Sequence, residues 1–443
     1  MLKLQEKLIS SFKDHQLSIN GSETKSLCKI RTKAFTVFKK QGFPTTKDEE
    51  WKYTSLNKPL KRDYDLKPKK ASSITSEQVD DFLCSGIDSY KLVFIDGTYN
   101  PSLSSLPSED YIFIGNIKDA FDGSSHIFNK YYGKIVQDQQ SMVALNTAFA
   151  QEGAFVYIKA RAVINKLIQI LYISTESDTN QMHQVRNLFV LEDGSEAQIL
   201  ERHQSLSSSC VFTNVVTESY VGKEGRFKHF KLQNDRLNTT LIDSTFVKQG
   251  SNSSALVDTF AFGGDLIRNN LHFEFQGEHA EAHMDAMTLL KGTSMVDHHT
   301  FVDHAVPNCQ SNQLYKGIYD EKSRGVFNGK VLVQKDAQKT NAFQQNNNLL
   351  LTDYTNIDSK PQLEIFADDV ACSHGCTIGQ IDEEALFYMQ TRGIPLKEAK
   401  AFLMFAFAAD SLKNISIPEL KEQLINIIAK ELKVELELNE LKH

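Results

Sequence analysis

The chain has 443 residues, 41% hydrophobic and 24% charged, values of an ordinary globular protein that exclude wholesale disorder and leave room for two or three compact units. Its 49 Lys and Arg against 56 Asp and Glu give a formal charge of -7, which argues against a nucleic-acid groove as the purpose of the chain. Six scattered cysteines do not form a disulfide scaffold, no run approaches the ~18 apolar residues of a membrane span, and the N-terminus lacks a signal-peptide pattern. The expected setting is the cytoplasm, with no membrane or nucleic-acid partner.

Residues 1–15 place Leu2, Leu4, Leu8 and Phe12 at helical spacing, and residues 27–40 repeat the pattern with Leu27, Ile30, Ala34 and Val37 or Phe38 until Gly42 stops the helix. In PTTKDEEWKYTSL, Thr45 or Thr46 is a candidate cap for a short acidic turn, and Trp51 and Tyr53 are placed to pack back on the helices. Residues 61–73 are polar and basic and read as a linker. Residues 91–99 and 110–117 are the best strand candidates of a small mixed unit, and 139–150 resembles a short helix.

From residue 151 the rhythm changes. Short β-type runs follow one another from 153–158 and 167–173 to 325–333 and 362–367, separated mostly by Gly, Asn, Asp or Ser. About fourteen such runs leave no space for crossover helices, so a doubly wound nucleotide fold fits poorly and the middle of the chain is all-β. The pattern allows a sandwich, a barrel or a solenoid. QQNNN at 344–348 and SNS at 251–253 favour the solenoid, because stacked polar side chains can bond to their equivalents on the next coil. After Gly379 helical periodicity returns. DEEALFYMQTRGI stops at Gly393, and Pro395 opens a run with Ala399, Phe402, Leu403, Phe405, Ala406 and Ala409. Pro418 then starts a last helix with the stripe Leu420, Leu424, Ile427, Ile428 and Leu432. Nothing after that stripe can bury it, so it is expected to be an uncovered docking surface or, alternatively, a cap on the end of the β region.

The densest chemical constellation is ADDVACSHGCTIGQ. Cys372, His374 and Cys376 alternate, so on an extended strand they share one side, and two thiols with an imidazole suit a soft or borderline metal. Against this stands the reading of Cys372 and Cys376 as small buried hydrophobes beside a hydrogen-bonded His374. A second field comprises His279, Glu281 and His283, with His298 and His304 further on. It could hold iron or zinc across adjacent strands, but lacks the spacing of a helical metalloprotease site. No phosphate-binding loop and no GxSxG elbow is present, so conventional enzyme chemistry has little support.

The run KPQLEIFADDVACSHGCTIGQIDEEALFYMQTRGI, together with DEEWKYTSL, SRGVFNGKVLV and NNNLLLTDYTNIDSKPQLEIFADD, resembles the SufD branch of the SufB/SufD scaffold subunits of SUF iron-sulfur cluster assembly. That resemblance implies a mainly β protein: a right-handed parallel β-helix core over 151–378, an α-helical N-terminal region with a small mixed unit over 1–150, and an α-helical C-terminal domain over 379–443. It implies a non-catalytic scaffold that pairs with SufB through the β-helix near Cys372 and His374. The ATPase SufC would dock on the C-terminal helices, and a homodimer is possible in isolation. No cofactor is expected to be tightly bound. Iron or a nascent cluster would be shared transiently with SufB, with Cys372 and His374 as candidate cluster contacts and His374, Cys372 and Cys376 as candidate metal ligands. Many relatives read CSHGAT where this chain has CSHGCT, so whether Cys376 is a ligand or a replacement for Ala stays open. A SufB-like identity would need a functional cysteine in the β-helix, and Cys309 is the nearby candidate, but its NCQSNQLYKG context is similar to SufD.

Overall fold

The computed structural model describes residues 3–18, 24–66, 74–119, 125–136 and 140–433. Residues 67–73 of the expected linker, and the end of the chain after 433, lie outside them. Helices span Lys3–Ser18 and Lys25–Gln41, the second ended by Gly42 at φ 71°, a left-handed cap that glycine adopts without penalty. Trp51 closes a short 3-10 turn over Glu49–Trp51 and is buried with Leu4, Leu8 and Phe38, as its sequence context suggests.

Everything from residue 89 to 379 is organised by two sheets. The ten-stranded sheet runs, in spatial order, β2 (Thr98–Tyr99), β1 (Ser89–Ile95), β5 (Leu167–Ser174), β7 (Glu196–Ser205), β9 (Arg226–Gln233), β11 (Ser254–Ala261), β13 (Glu281–Leu290), β15 (Gln310–Tyr319), β17 (Asn341–Leu350) and β19 (Ala371–Gly379). The nine-stranded sheet runs β3 (Ile112–Asn116), β4 (Ala154–Ile158), β6 (Gln181–Leu191), β8 (Val211–Val221), β10 (Thr239–Gln249), β12 (Leu266–Phe275), β14 (Met295–His304), β16 (Arg324–Val333) and β18 (Asn356–Ile365). From β4 onward successive strands alternate between the sheets, and each pairs in parallel with the strand two places on where one follows, which makes a parallel β-solenoid of about eight turns. Strands β1 to β3, from the region expected to precede the β-helix, join the same two sheets. The antiparallel pairs β1·β2 and β3·β4 finish the N-terminal end.

The coil is legible in its corners. Arg161, Gly194, Glu224, Asn252, His279, Asn308 and Lys339 recur once per coil with φ between 55° and 67°, the left-handed turn that reverses the chain without splaying the strands. Most of these amides bond across to the next coil, as Glu224 N–H does to Ser251 O and Lys339 N–H to Asp369 O. Between corners the strands are buried on both faces, so β5 reads LIQILYIS with every residue buried. The lumen holds the largest apolar core, from Leu92 and Phe94 to Phe327 and Ile357.

The outer faces are covered unequally. The N-terminal helices lie on the nine-stranded sheet through Leu8, Phe38, Trp51, Phe212 and Ile242. Two buried ion pairs tie later segments of the N-terminal region to the same sheet. Arg186 binds Glu218 at 2.6 Å, and Glu218 also accepts the N–H groups of Gly133, Ile135 and Val136. Arg268 binds Asp297 at 2.7 Å with its guanidinium 4.0 Å from the Trp51 ring. The C-terminal helices Glu383–Thr391, Leu396–Ala409 and Pro418–Leu432 follow β19. The stripe Leu420, Leu424 and Ile428 is not uncovered, nor does it cap the solenoid: it is buried on the outer face of the ten-stranded sheet against Leu200, Phe230, Leu232 and Phe260. The cover comes from residues far earlier in the chain. Among the described residues, no helix is long and apolar enough to cross a membrane.

Candidate functional site

Strand β19 is the last of its sheet and, among the described residues, pairs only with β17, leaving its other edge free. The register sets Ala342 opposite Cys372, Gln344 opposite His374 and Asn346 opposite Cys376. Ala342, Gln344 and Asn346 are buried toward the lumen, so all three candidate donors share the lumen side, as the alternation predicts. No further coil covers them. Cys372 is half-buried, and His374 and Cys376 are exposed.

Each donor has its own surroundings. Cys372 packs with Val331, Val333, Ala337, Ala342 and Ala367, and burial pushes its thiol pKa up. Cys376 Sγ lies 3.1 Å from Ser359 Oγ of β18. Ser359 donates in turn to Asn346 Oδ1 at 2.8 Å, an oxygen that also accepts from Asn348 Nδ2. With the serine proton committed to Asn346, the Cys376 S–H is the donor to Ser359. Beneath His374, Gln344 Nε2 donates to Gln313 Oε1 at 3.2 Å and Thr300 Oγ1 to the same oxygen at 2.7 Å. That glutamine pair is the coil-to-coil ladder expected of the QQNNN segment.

Alternate residues of a strand stand ~6.6 Å apart. Cys372, His374 and Cys376 therefore form a row along an edge, and among the described residues no three His, Cys, Asp or Glu side chains converge on one ion. The row can offer donors to an ion or cluster that a second surface completes. The other histidine field is dispersed. His279 is a corner residue at φ 59°, and His283 lies half-buried on β13. His298 and His304 point into the lumen, bonded to Thr288 and Ser311, and burial lowers their pKa values to about 4 and about 3. Cys309 is buried in the lumen core with its thiol pushed up by burial.

Sequence reasoning missed Ser359 and Asn346 as the partners of Cys376, since the coil that sets β18 of one sheet against β17 and β19 of the other is needed to see them. It also missed a second surface. Helix Glu383–Thr391 has no buried residue, and Phe387 and Tyr388 are 69% and 59% exposed, an unusual state for two adjacent aromatics.

A parallel β-solenoid with helices on both outer faces and a thiol-imidazole row at its C-terminal end is the class of protein the fold and site define, and the comparisons give it a family. Residues 172–407 match the family described as SUF system FeS cluster assembly, SufBD core domain, and residues 2–170 match the SufBD protein N-terminal region. The chain belongs to the SufBD family, with a role in SUF iron-sulfur cluster assembly. It is 31% identical over 420 residues to the SufBD family protein slr0076 of Synechocystis, covering 92% of each chain. It is 30% identical over 403 residues to Escherichia coli SufD, covering 88% of this chain and 90% of that one. With Bacillus subtilis SufD it shares 25% identity over 406 residues, 88% of this chain and 89% of the other.

Proposed function

We propose that the protein is a non-catalytic scaffold subunit of a cytoplasmic SufBCD-type complex. In this reading it pairs with SufB through the open end of the solenoid, and the ATPase SufC docks on its C-terminal helices. Iron or a nascent cluster is substrate, held transiently between the two scaffold chains. The observation that carries the reading is the row of Cys372, His374 and Cys376 on the lumen side of an unpaired edge strand. Its donors are spaced too widely to enclose an ion, so they need donors from a second chain. His374 is the central ligand because its imidazole is exposed, whereas the Cys372 thiol is partly withdrawn into an apolar cluster. Cys376 becomes a ligand only by giving up its bond to Ser359. Exposed Phe387 and Tyr388 support docking of the ATPase on helix Glu383–Thr391.

Co-expression of a His374→Ala chain with SufB and SufC, scored by the activity of a reporter iron-sulfur enzyme, tests the site. Maturation should fall at least about tenfold, and a reporter as active as with the parent chain would overturn the role of His374. Pull-down with Phe387→Asp should lose SufC and keep SufB. Unchanged recovery of both would remove the helix from the docking surface.

A further inference from the structure

Beneath the segment joining the last two helices, Asp258 of β11 and Asp285 of β13 are register partners on adjacent parallel strands. Both point to the outer face of the ten-stranded sheet, in line with Leu256, Phe260, Met287 and Leu289, where Leu412, Ile415 and Ile417 roof the site. Register partners lie ~5 Å apart, so two carboxyl groups share one apolar site, and both are buried. Asp285 Oδ2 accepts a hydrogen bond from Asn414 Nδ2 at 2.6 Å. Among the described residues no side chain donates to either oxygen of Asp258, and the Asp285 backbone N–H is the one donor near it.

The surrounding charges are engaged elsewhere. Lys228 of β9 donates to Ser416, and Lys316 of β15 binds Phe407 O and pairs with Asp410. Lys413 reaches Asp410 at 4.0 Å, and His283 stands two residues before Asp285 on the same face. None supplies a contact ion to Asp258. Two adjacent carboxylates in an apolar site cannot both stay ionised.

We propose that Asp258 and Asp285 share a proton in the folded chain, and that the pair is a latch which fixes the C-terminal helices to the sheet and loosens when that proton is lost. Burial, and then the Asp285 carboxyl, push Asp258 well above the usual carboxylate range against the lowering effect of Lys228 and the Asp285 backbone N–H, and burial raises Asp285 against that of Asn414, His283, Lys413 and the Leu314 backbone N–H. The folded chain therefore keeps a proton that the unfolded chain releases near pH ~4. The latch is complete below that pH and is lost as pH rises through the raised values. Releasing it would lift Ile415 and Ile417 off the sheet and change how the exposed aromatics of the C-terminal helices are presented. The latch does not depend on the proposed scaffold role.

Hydrogen exchange of the full chain from pH 6 to 9, corrected for intrinsic rates, tests it. Protection of residues 412–428 should fall at least about tenfold across this range, while the lumen strands keep theirs. Asp258→Asn should make the protection of 412–428 independent of pH, and Asp285→Asn, which leaves an acceptor for Asn414, decides the matter if the first variant does not fold. The proposal is overturned if the parent shows no pH dependence, or if a variant retains it. It is equally overturned if a chelator lowers protection in the parent, since a bound cation would then be neutralising the pair.

Discussion

At the scale of single residues, the cysteines differ by what surrounds them. Cys376 is exposed on the edge strand, Cys372 is half-buried among aliphatic side chains, and Cys309 and Cys84 are buried. Burial pushes the Cys84 thiol to about 11 and raises those of Cys309 and Cys372. Since the thiolate is the nucleophile, brief iodoacetamide treatment at neutral pH followed by peptide mass spectrometry should label Cys376 well before Cys372, and Cys309 and Cys84 only after unfolding. The buried ion pairs are residue-scale features of another kind. Glu218 answers Arg186 and three backbone N–H groups at once. Glu218→Ala would leave the guanidinium buried without its counter-charge and should cost roughly 3–5 kcal/mol, read as a lower urea midpoint. A midpoint within error of the parent would show that the segment from Gly133 to Val136 does not rely on this pair.

At the scale of elements, short β-type runs broken by Gly, Asn, Asp or Ser made most strands legible, and helix spacing with Gly42 did the same for the second helix. Placement was less legible. An amphipathic stripe at Leu420, Leu424 and Ile428 announces that it must be covered, but the cover is a sheet face built from Leu200, Phe230 and Leu232, far earlier in the chain. The site was readable as a row and unreadable as a geometry, because Cys376 meets Ser359 only once β17 has brought β18 and β19 together through Asn346. The lumen carries a consequence that alternation alone does not give. His183, His298 and His304 are buried, and burial holds their pKa values at about 4, about 4 and about 3. The unfolded chain takes up protons near pH ~6.5 while the folded one does not, so stability is full above that value and falls as pH drops toward 4. Urea unfolding at pH 5 should therefore show a loss on the order of a few kcal/mol relative to pH 7.5, and His298→Gln should reduce it. An unchanged difference in that variant would take His298 out of the account.

At the scale of the whole molecule, the two ends of the solenoid are unlike. The N-terminal end is finished by antiparallel strands β2 and β3, and helices lie over both sheets. The C-terminal end presents the edges of β18 and β19, free among the described residues, with Phe366 64% and Ile378 50% exposed beside them. A free edge with apolar neighbours pairs with another chain unless charge or a bulge prevents it, and β19 carries neither. With no second scaffold subunit available, the same edge is expected to pair with a copy of itself, giving a two-fold dimer. Sedimentation of the isolated chain at micromolar concentration should then show a dimer. Ile378→Lys, which puts a charge on the lumen side of the edge strand, should return it to a monomer with a stability change of only ~0.5 kcal/mol. Phe387→Lys, on the C-terminal helix, should leave the dimer intact. Should Phe387→Lys break the dimer and Ile378→Lys spare it, self-association would belong to the helices, and the edge strand would lose its claim to be the pairing surface.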